Sequence, residues 1–224
     1  MTPVGRTIQP GELAAFSSEI PGVEEKRRWA LYDNATFAAA ATVTGDVNMF
    51  TTPIGQGATP KTLRDTNMRQ AGQLPARQGM EVWDIRVQPE LTLVNADTSV
   101  VVLNSFYTAF NALLYGASFT FRQAQKVDLE ISPLAILSAG YGATVAAWGG
   151  ADVTAAATAG AGAAILNNGH PSRMALWDLD PLPIVILPQR SFQITINFPT
   201  AVVLPAGVGL VLWVHLDGIL HRSA

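Results

Sequence analysis

The three histidines are the first candidates for chemistry, because imidazole is a common metal ligand and general base. They are His170, His215 and His221, and none lies within four residues of another. A metal-binding cupin needs clustered His and Glu ligands around a His-x-His core, and that core is missing. His215 alternates with Val214 and Leu216, so we expect it on a sheet face or at an interface rather than on a metal.

The carboxylates raise two further possibilities, a calcium site and a hydrolase. Asp178 and Asp180, in the sequence Asp-Leu-Asp-Pro, offer oxygen ligands for calcium. Two ligands are too few, and turn residues ahead of Pro181 are the better interpretation. A sandwich-fold glycosidase needs two facing carboxyl groups. The dispersed candidates are Asp84, Asp128, Glu130 and Asp217. Nothing in their spacing brings two of them together, so we rank a hydrolase last.

The tryptophans favour a different function, carbohydrate binding, because sandwich lectins stack sugars on exposed aromatic rings. The chain has five: Trp29, Trp83, Trp148, Trp177 and Trp213. Trp83 shares strand parity with Ile85 and Val87, which predicts a core position. Trp148 stands in a Gly-rich loop and is the candidate platform for a sugar; a packing anchor for its own loop is the alternative.

Other reactive patterns are absent from the sequence. There is no cysteine, which excludes disulfides, thiolate chemistry and Cys-based zinc sites. There is no Gly-x-Ser-x-Gly elbow, no Walker A loop and no dinucleotide-binding Gly-x-Gly-x-x-Gly after a strand. We therefore predict no catalytic, cofactor-binding or metal-binding residues, and a protein that is not an enzyme.

The composition indicates a surface that other molecules cover. Hydrophobic residues make up 49% of the chain, enough for a sizeable core, while charged residues make up only 14%. The usual charged fraction is about one quarter. We infer that partners bury much of the surface; a monomer with an unusually Ala/Thr/Asn-rich surface is the alternative. The net charge of −3 argues against a nucleic-acid-binding domain.

Strand patterns run through most of the chain, most clearly near its end. Phe192, Ile194, Ile196 and Phe198 alternate with polar residues, which predicts a strand with one buried face. Apolar runs on either side predict further strands at 184–187 and 210–216, the second ending at the Asp217-Gly218 turn. Earlier strands are predicted near 48–50, from 83 to 93, at 119–121, at 127–131 and from 174. Pro89 marks the strand after Trp83 as an edge strand or a bulged one.

Three segments depart from this pattern. Residues 1–45 lack alternation, and we predict an N-terminal arm with helical pieces at Gly11 to Ser18 and Val23 to Ala41. Val102, Phe106, Phe110 and Leu113 recur at helical spacing, which predicts an amphipathic helix from Thr98 to Tyr115. Residues 55–77 form a long polar loop, and residues 138–170 an Ala/Gly-rich insertion.

The predicted fold class is therefore all-β. About eight strands suit a single antiparallel jelly roll, a β-sandwich with one inserted helix and an N-terminal arm. We assign the arm to residues 1–45 and the jelly-roll domain to residues 46–224, including the insertion at about 138–170.

The order of short motifs resembles the jelly-roll capsid proteins of tailless icosahedral bacteriophages, over about residues 46 to 222. The motifs are turn and strand sequences rather than reactive residues. In chain order they are Asp65-Thr66-Asn67-Met68, Gly72-Gln73-Leu74-Pro75, Gly116-Ala117-Ser118-Phe119, Ile131-Ser132-Pro133-Leu134, Pro183-Ile184-Val185-Ile186, Arg190-Ser191-Phe192, and Leu216-Asp217-Gly218 before His221-Arg222.

The resemblance implies assembly as the function. Such proteins form trimers or pentamers whose sandwiches stand upright on the shell. The implied partners are copies of the chain, neighbouring capsomers or other capsid proteins, and an internal viral membrane, with no specific nucleic acid; the implied location is the virion. The chain is too short for two jelly rolls, so a single-barrel capsid or vertex protein is expected. A carbohydrate-binding or adhesion module is the alternative function.

Overall fold

Two antiparallel β-sheets face each other across an apolar core. The structure, a computed structural model, describes residues 24–93, 108–110, 112–133, 144–147, 164–167 and 177–223. Its strands, in chain order, are β1 (Glu24–Phe37), β2 (Thr42–Met49), β3 (Gln78–Leu93), β4 (Ser118–Gln123), β5 (Lys126–Ile131), β6 (Thr144–Ala147), β7 (Ala164–Asn167), β8 (Trp177–Asp178), β9 (Ile184–Ile186), β10 (Phe192–Val203) and β11 (Val208–Ser223).

The strand pairings are nested along the chain. One sheet has the order β1-β11-β3-β8, with β9 also paired to β3; we call it the five-stranded sheet. The four-stranded sheet has the order β2-β10-β4-β5. The first strand thus pairs with the last, β2 with β10, β3 with β8 and β9, and β4 with β5. Among the described strands, β6 and β7 pair with each other alone, and they lie within the predicted insertion.

The core consists of the inward residues of both sheets, as the alternation predicted. Phe192, Ile194, Ile196 and Phe198 are all buried, and the intervening polar residues of β10 point outward. The Phe121 and Phe192 rings stack at a centroid distance of 6.2 Å. Burying each such side chain contributes about 1.5–3 kcal/mol, so this alternation is a main source of stability.

A bulge changes the face that β3 buries. Met80 and Val82 are buried on even positions, whereas Ile85 and Val87 are buried on odd ones. Asp217 pairs with Asp84 and Gly218 with Val82, so Trp83 is the extra residue of the bulge. The predicted core position of Trp83 by simple parity is therefore wrong, because the bulge interrupts the period.

Two further features of the strands near this bulge differ from their predictions. The bulge expected in β3 is present, but it lies six residues before Pro89. Beyond Ile85, β3 is an edge strand among the strands that the structure describes. The predicted turn at Asp217-Gly218 is wrong. Strand β11 continues to Ser223, because its pairing with β1 and β3 carries the chain straight through the bulge.

The predicted helix over Val23 to Ala41 is also wrong. Residues 24–37 form β1, which pairs with β11 over its whole length, and the alanine run at 38–41 forms the turn into β2. Pairing along fourteen residues outweighs the modest helix propensity of alanine and arginine. Residues 24–45 therefore belong to the two sheets, and the remainder of the proposed arm, including Gly11 to Ser18, lies outside the described residues.

The inserted helix is present in its second part. Residues 108–110 and 112–116 are helical, and Phe110, Leu113 and Leu114 are buried. The predicted start of this helix, from Thr98, lies outside the described residues. Residues 55–77 contain no strand and form the long loop that the sequence predicted. The helical residues that the structure describes are too few for a membrane-crossing helix.

Candidate functional site

The histidines do not come together. His215 lies half-buried on the outer face of the five-stranded sheet. Its ring stacks on that of Trp213 at a centroid distance of 6.1 Å and lies tilted against that of Tyr32 at a centroid distance of 6.0 Å. Burial, together with the nearby charge of Arg86, lowers the pKa of His215 to about 4, so its imidazole is neutral at pH 7. His221 is buried with its Nε2 3.1 Å from Glu81 Oε1, and His170 lies outside the described residues.

The dispersed carboxylates separate onto the two sheets. Asp128 accepts from Gln123 at 2.7 Å and from Lys126 at 2.9 Å in the four-stranded sheet, which also carries Glu130. Asp217 and Asp84 lie opposite each other in the five-stranded sheet. Both guanidinium contacts of Arg86, at 2.6 and 3.1 Å, go to Asp217, so this carboxylate is already engaged.

Asp178 and Asp180 have the geometry of a turn. The backbone N–H of Asp180 donates to Asp178 Oδ1 at 2.8 Å, as in an Asx turn. Among the residues that the structure describes, no three His, Asp or Glu side chains are grouped closely enough to hold a metal ion. The hydrogen bond between Asp180 and Asp178 therefore supports the interpretation of these residues as a turn.

The tryptophans lie in different parts of the fold and have different environments. Trp213 Nε1 donates to Glu90 at 2.9 Å, Trp177 packs against the core, and Trp29 on β1 is 37% exposed. Trp83 forms the bulge. Trp148, the predicted sugar platform, lies outside the described residues, so that prediction stays a prediction.

A polar groove of about 650 Å³ lies on the outer face of the four-stranded sheet. Its floor is a lattice of hydrogen-bonded side chains. Asn48 Oδ1 accepts from Gln193 at 2.5 Å and from Thr195 at 2.9 Å, and Asn197 donates to Asp46 at 2.5 Å. These bonds hold the side chains in place before any ligand arrives.

The groove presents hydrogen-bonding groups that suit a polar molecule. Each of its amides uses one polar end in the lattice: Gln193 and Asn197 donate, and Asn48 accepts. The remaining polar atom of each of these amide side chains can form hydrogen bonds with hydroxyl or amide groups of a ligand. The charged residues of its lining are Asp46, Arg122 and Glu130, and no nucleophile paired with a base lines it.

A buried ion pair joins Asp33 and Lys61, two residues that the sequence did not single out. Asp33 is inaccessible on the inner side of β1. Its Oδ1 accepts from Lys61 Nζ at 2.5 Å and its Oδ2 from the backbone N–H of Phe50 at 2.5 Å. Lys61 also donates to the carbonyl of Asn34 at 2.6 Å. The signal was an aspartate at the inward parity of Leu31, which became visible only once residues 24–37 were recognised as a strand.

Burial dominates the electrostatics of this pair. It raises the pKa of Asp33, while the bonds from Lys61 and Phe50 partly oppose the shift. The pair joins β1, the end of β2 and the loop at 55–77. We interpret it as a structural joint, because its polar atoms are engaged with one another.

Asn67 is a second residue whose role the structure explains. Its Oδ1 accepts from the backbone N–H of Tyr32 at 3.0 Å, and its Nδ2 donates to the carbonyl of Ala30 at 2.7 Å. The hydroxyl of Thr66 donates to the Tyr32 carbonyl at 3.1 Å. The Asp65–Met68 motif thus covers part of the open edge of β1, much as a neighbouring strand does.

Comparison with known proteins found no relative of this chain. No protein-family model, curated protein or solved structure matches this chain.

Proposed function

We propose that this chain is a structural subunit of a viral capsid, a single jelly roll that assembles into the capsomers of an icosahedral shell. The observation that carries the proposal is the nested strand pairing. A jelly roll wraps eight strands into two sheets, with the first strand beside the last. Counting β8 and β9 as one interrupted strand beside β3 gives eight strands in two antiparallel sheets with nested pairing, and this supports the proposal of a jelly roll.

The surface composition supports assembly. Only 14% of the residues are charged, and interface cores are depleted of charge. The motif Asp65–Met68, part of the resemblance to capsid proteins of tailless icosahedral bacteriophages, has a structural role at the β1 edge. On this proposal the partners are copies in a trimer or pentamer, neighbouring capsid proteins and an internal viral membrane, with no specific nucleic acid, and the location is the virion.

Light scattering coupled to size-exclusion chromatography tests the proposal, followed by electron microscopy of the same fractions. We expect a discrete cyclic oligomer, and shells or sheets of capsomers at high concentration. A folded chain that stays monomeric at every concentration, also when co-expressed with the neighbouring structural proteins, contradicts it.

The polar groove favours one alternative, binding of a saccharide by the outer face of the four-stranded sheet. Its amide and hydroxyl groups match the hydrogen-bonding needs of a neutral polyhydroxylated ligand. A glycan array tests this function. Binding that is lost in Asn48→Ala/Gln193→Ala but kept in Gln88→Ala, on the other sheet, supports it; no binding across a broad array eliminates it.

A further inference from the structure

The five-stranded sheet ends in two open edges that carry opposite charge. We call them the basic edge, Lys26 to Trp29 of β1, and the acidic edge, Asp178 to Asp180 at β8. Lys26, Arg27, Arg28, Asp178 and Asp180 are all exposed. The charged groups therefore stand where a neighbouring molecule can reach them.

The backbone of the basic edge has no neighbouring strand on its second side within the described residues. Strand β1 pairs with β11 on one side. On the other side, Thr66 and Asn67 cover only the backbone of Ala30 to Asp33, so within the described residues positions 24–29 have no partner strand. Arg27 has one ion pair, with Glu25 at 3.1 Å, and Arg28 has none among the described residues.

Trp29 adds an apolar contact to this edge. It is one of the few large hydrophobic side chains exposed in the described chain, at 37%. Tryptophan and arginine are the residue types that most often dominate the energy of a protein interface. Arg27 and Trp29 are two residues apart on β1 and so lie on the same face of the strand, a combination typical of a binding surface.

The acidic edge is the end of a row of aspartates. Asp217, Asp84 and Asp178 are register partners on three adjacent strands, β11, β3 and β8. Arg86 binds Asp217 through both guanidinium contacts, while Asp178 and Asp180 are the exposed carboxylates at the β8 end. Among the described strands, none pairs with the second side of β8.

The two edges lie at nearly the same level of the sheet. The aspartate row continues across β11 to Ala30, which is two residues from Arg28 on β1. A second copy related by rotation about an axis beside the sheet therefore brings its basic edge against the acidic edge of the first. Such a head-to-tail contact uses two different surfaces and closes into a ring when the rotation closes.

We propose that the basic edge of one copy binds the acidic edge of the next, so that copies of this chain form a head-to-tail ring. The proposal deepens the capsid-subunit function and rests on it, since it names the contact within one capsomer. Opposite charges at the two edges also disfavour basic-to-basic and acidic-to-acidic pairing, which selects the cyclic arrangement over a two-fold dimer.

Charge reversal with rescue tests the proposal. Arg27→Glu/Arg28→Glu makes both edges acidic, and Asp178→Lys/Asp180→Lys makes both edges basic. We expect each double variant to weaken association by at least about tenfold in sedimentation velocity. The quadruple variant, which exchanges the two signs within one chain, restores opposite edges and should recover the ring. Circular dichroism confirms that each variant is folded.

Arg122→Glu/Arg190→Glu is the matched control, because it reverses two exposed cations away from both edges. The control should keep the ring. If the control dissociates equally, or the quadruple variant fails to recover, the edge contact is wrong. If neither charge-reversal variant weakens the oligomer, the edge contact is wrong, but the capsid function is unaffected. If rings form in the predicted charge-dependent way but never assemble into a shell, the edge contact is supported and the capsid function is contradicted.

Discussion

At the scale of single residues, Asp33 shows why a charge is kept in an apolar sheet face. Ionised carboxylates are costly to bury, and its pKa is raised for that reason. The Lys61 ammonium and the Phe50 amide recover part of that cost through bonds of 2.5 Å. In return, the loop at 55–77 is held in one position against β1. The pair therefore specifies where the loop docks rather than adding much net stability.

Lys61→Met should destabilise the fold by about 3 kcal/mol, because it leaves the buried carboxylate of Asp33 without its cation. Urea unfolding at pH 7 measures the change. Arg64→Met is the matched control in the same loop; its partner Glu90 is exposed, so we expect a change of at most about 1 kcal/mol. Equal effects of the two substitutions contradict the role given to Asp33.

The raised pKa of Asp33 makes its contribution depend on pH. Because the folded-state value lies above the unfolded value of 3.8, the native state holds the proton to higher pH. The stability from this group is present below 3.8 and is lost as pH rises through the folded pKa. Relative to Asp33→Asn, the wild type should therefore lose unfolding free energy between these two values. A difference that grows with pH shows instead that Lys61 outweighs burial.

At the scale of elements, the bulge in β3 sets which residues face the core. Gly218 lies opposite it, and a Cβ built there stands 1.8 Å from the carbonyl oxygen of Glu81. No side chain fits without moving the backbone of one strand. The glycine is therefore required by the close approach of β11 and β3.

Gly218→Ala should cost about 3 kcal/mol or more, because it forces two paired strands apart. Thermal unfolding followed by circular dichroism measures the loss. Gly116→Ala is the control, since a Cβ there meets Pro199 at an ordinary 3.7 Å; it should change stability by less than about 1 kcal/mol. An unchanged melting temperature in Gly218→Ala indicates that the bulge lies elsewhere.

At the scale of the whole molecule, the sandwich depends on the inward residues of β10, which lie between β2 and β4. Ile196→Asp should unfold the domain, because Ile196 is fully inaccessible and a buried charge costs several kcal/mol. Its neighbour Thr195→Asp, on the outer face, serves as the control and should stay folded. Near-native circular dichroism and a cooperative melt in Ile196→Asp contradict the assignment of the faces.

Charge is unevenly distributed over the molecule, although the net value of −3 is small. At one end the turns 38–41 and 204–207 contain no charged residue, and backbone bonds join them. The opposite end exposes Arg77, Arg122 and Arg190. The net charge therefore does not describe the individual surfaces. The two edges proposed as a contact between copies carry opposite charges although the net charge is small.

Elements with a local signal could be predicted from the amino-acid order. Alternation along β10 predicted its buried residues, and helical spacing predicted Phe110 and Leu113, because side-chain direction follows the backbone period of the same segment. The low charge and the missing catalytic motifs are likewise properties of composition and order, and they directed the interpretation towards assembly.

Features that depend on a distant partner became visible in the folded chain. Strand β1 was predicted as helix because its partner β11 lies almost two hundred residues away. The bulge at Trp83 exists through Gly218, and Asp33 is buried through Lys61 and Phe50. Arg28 and Asp178 reach opposite edges of one sheet for the same reason: strand pairing, not sequence distance, places them.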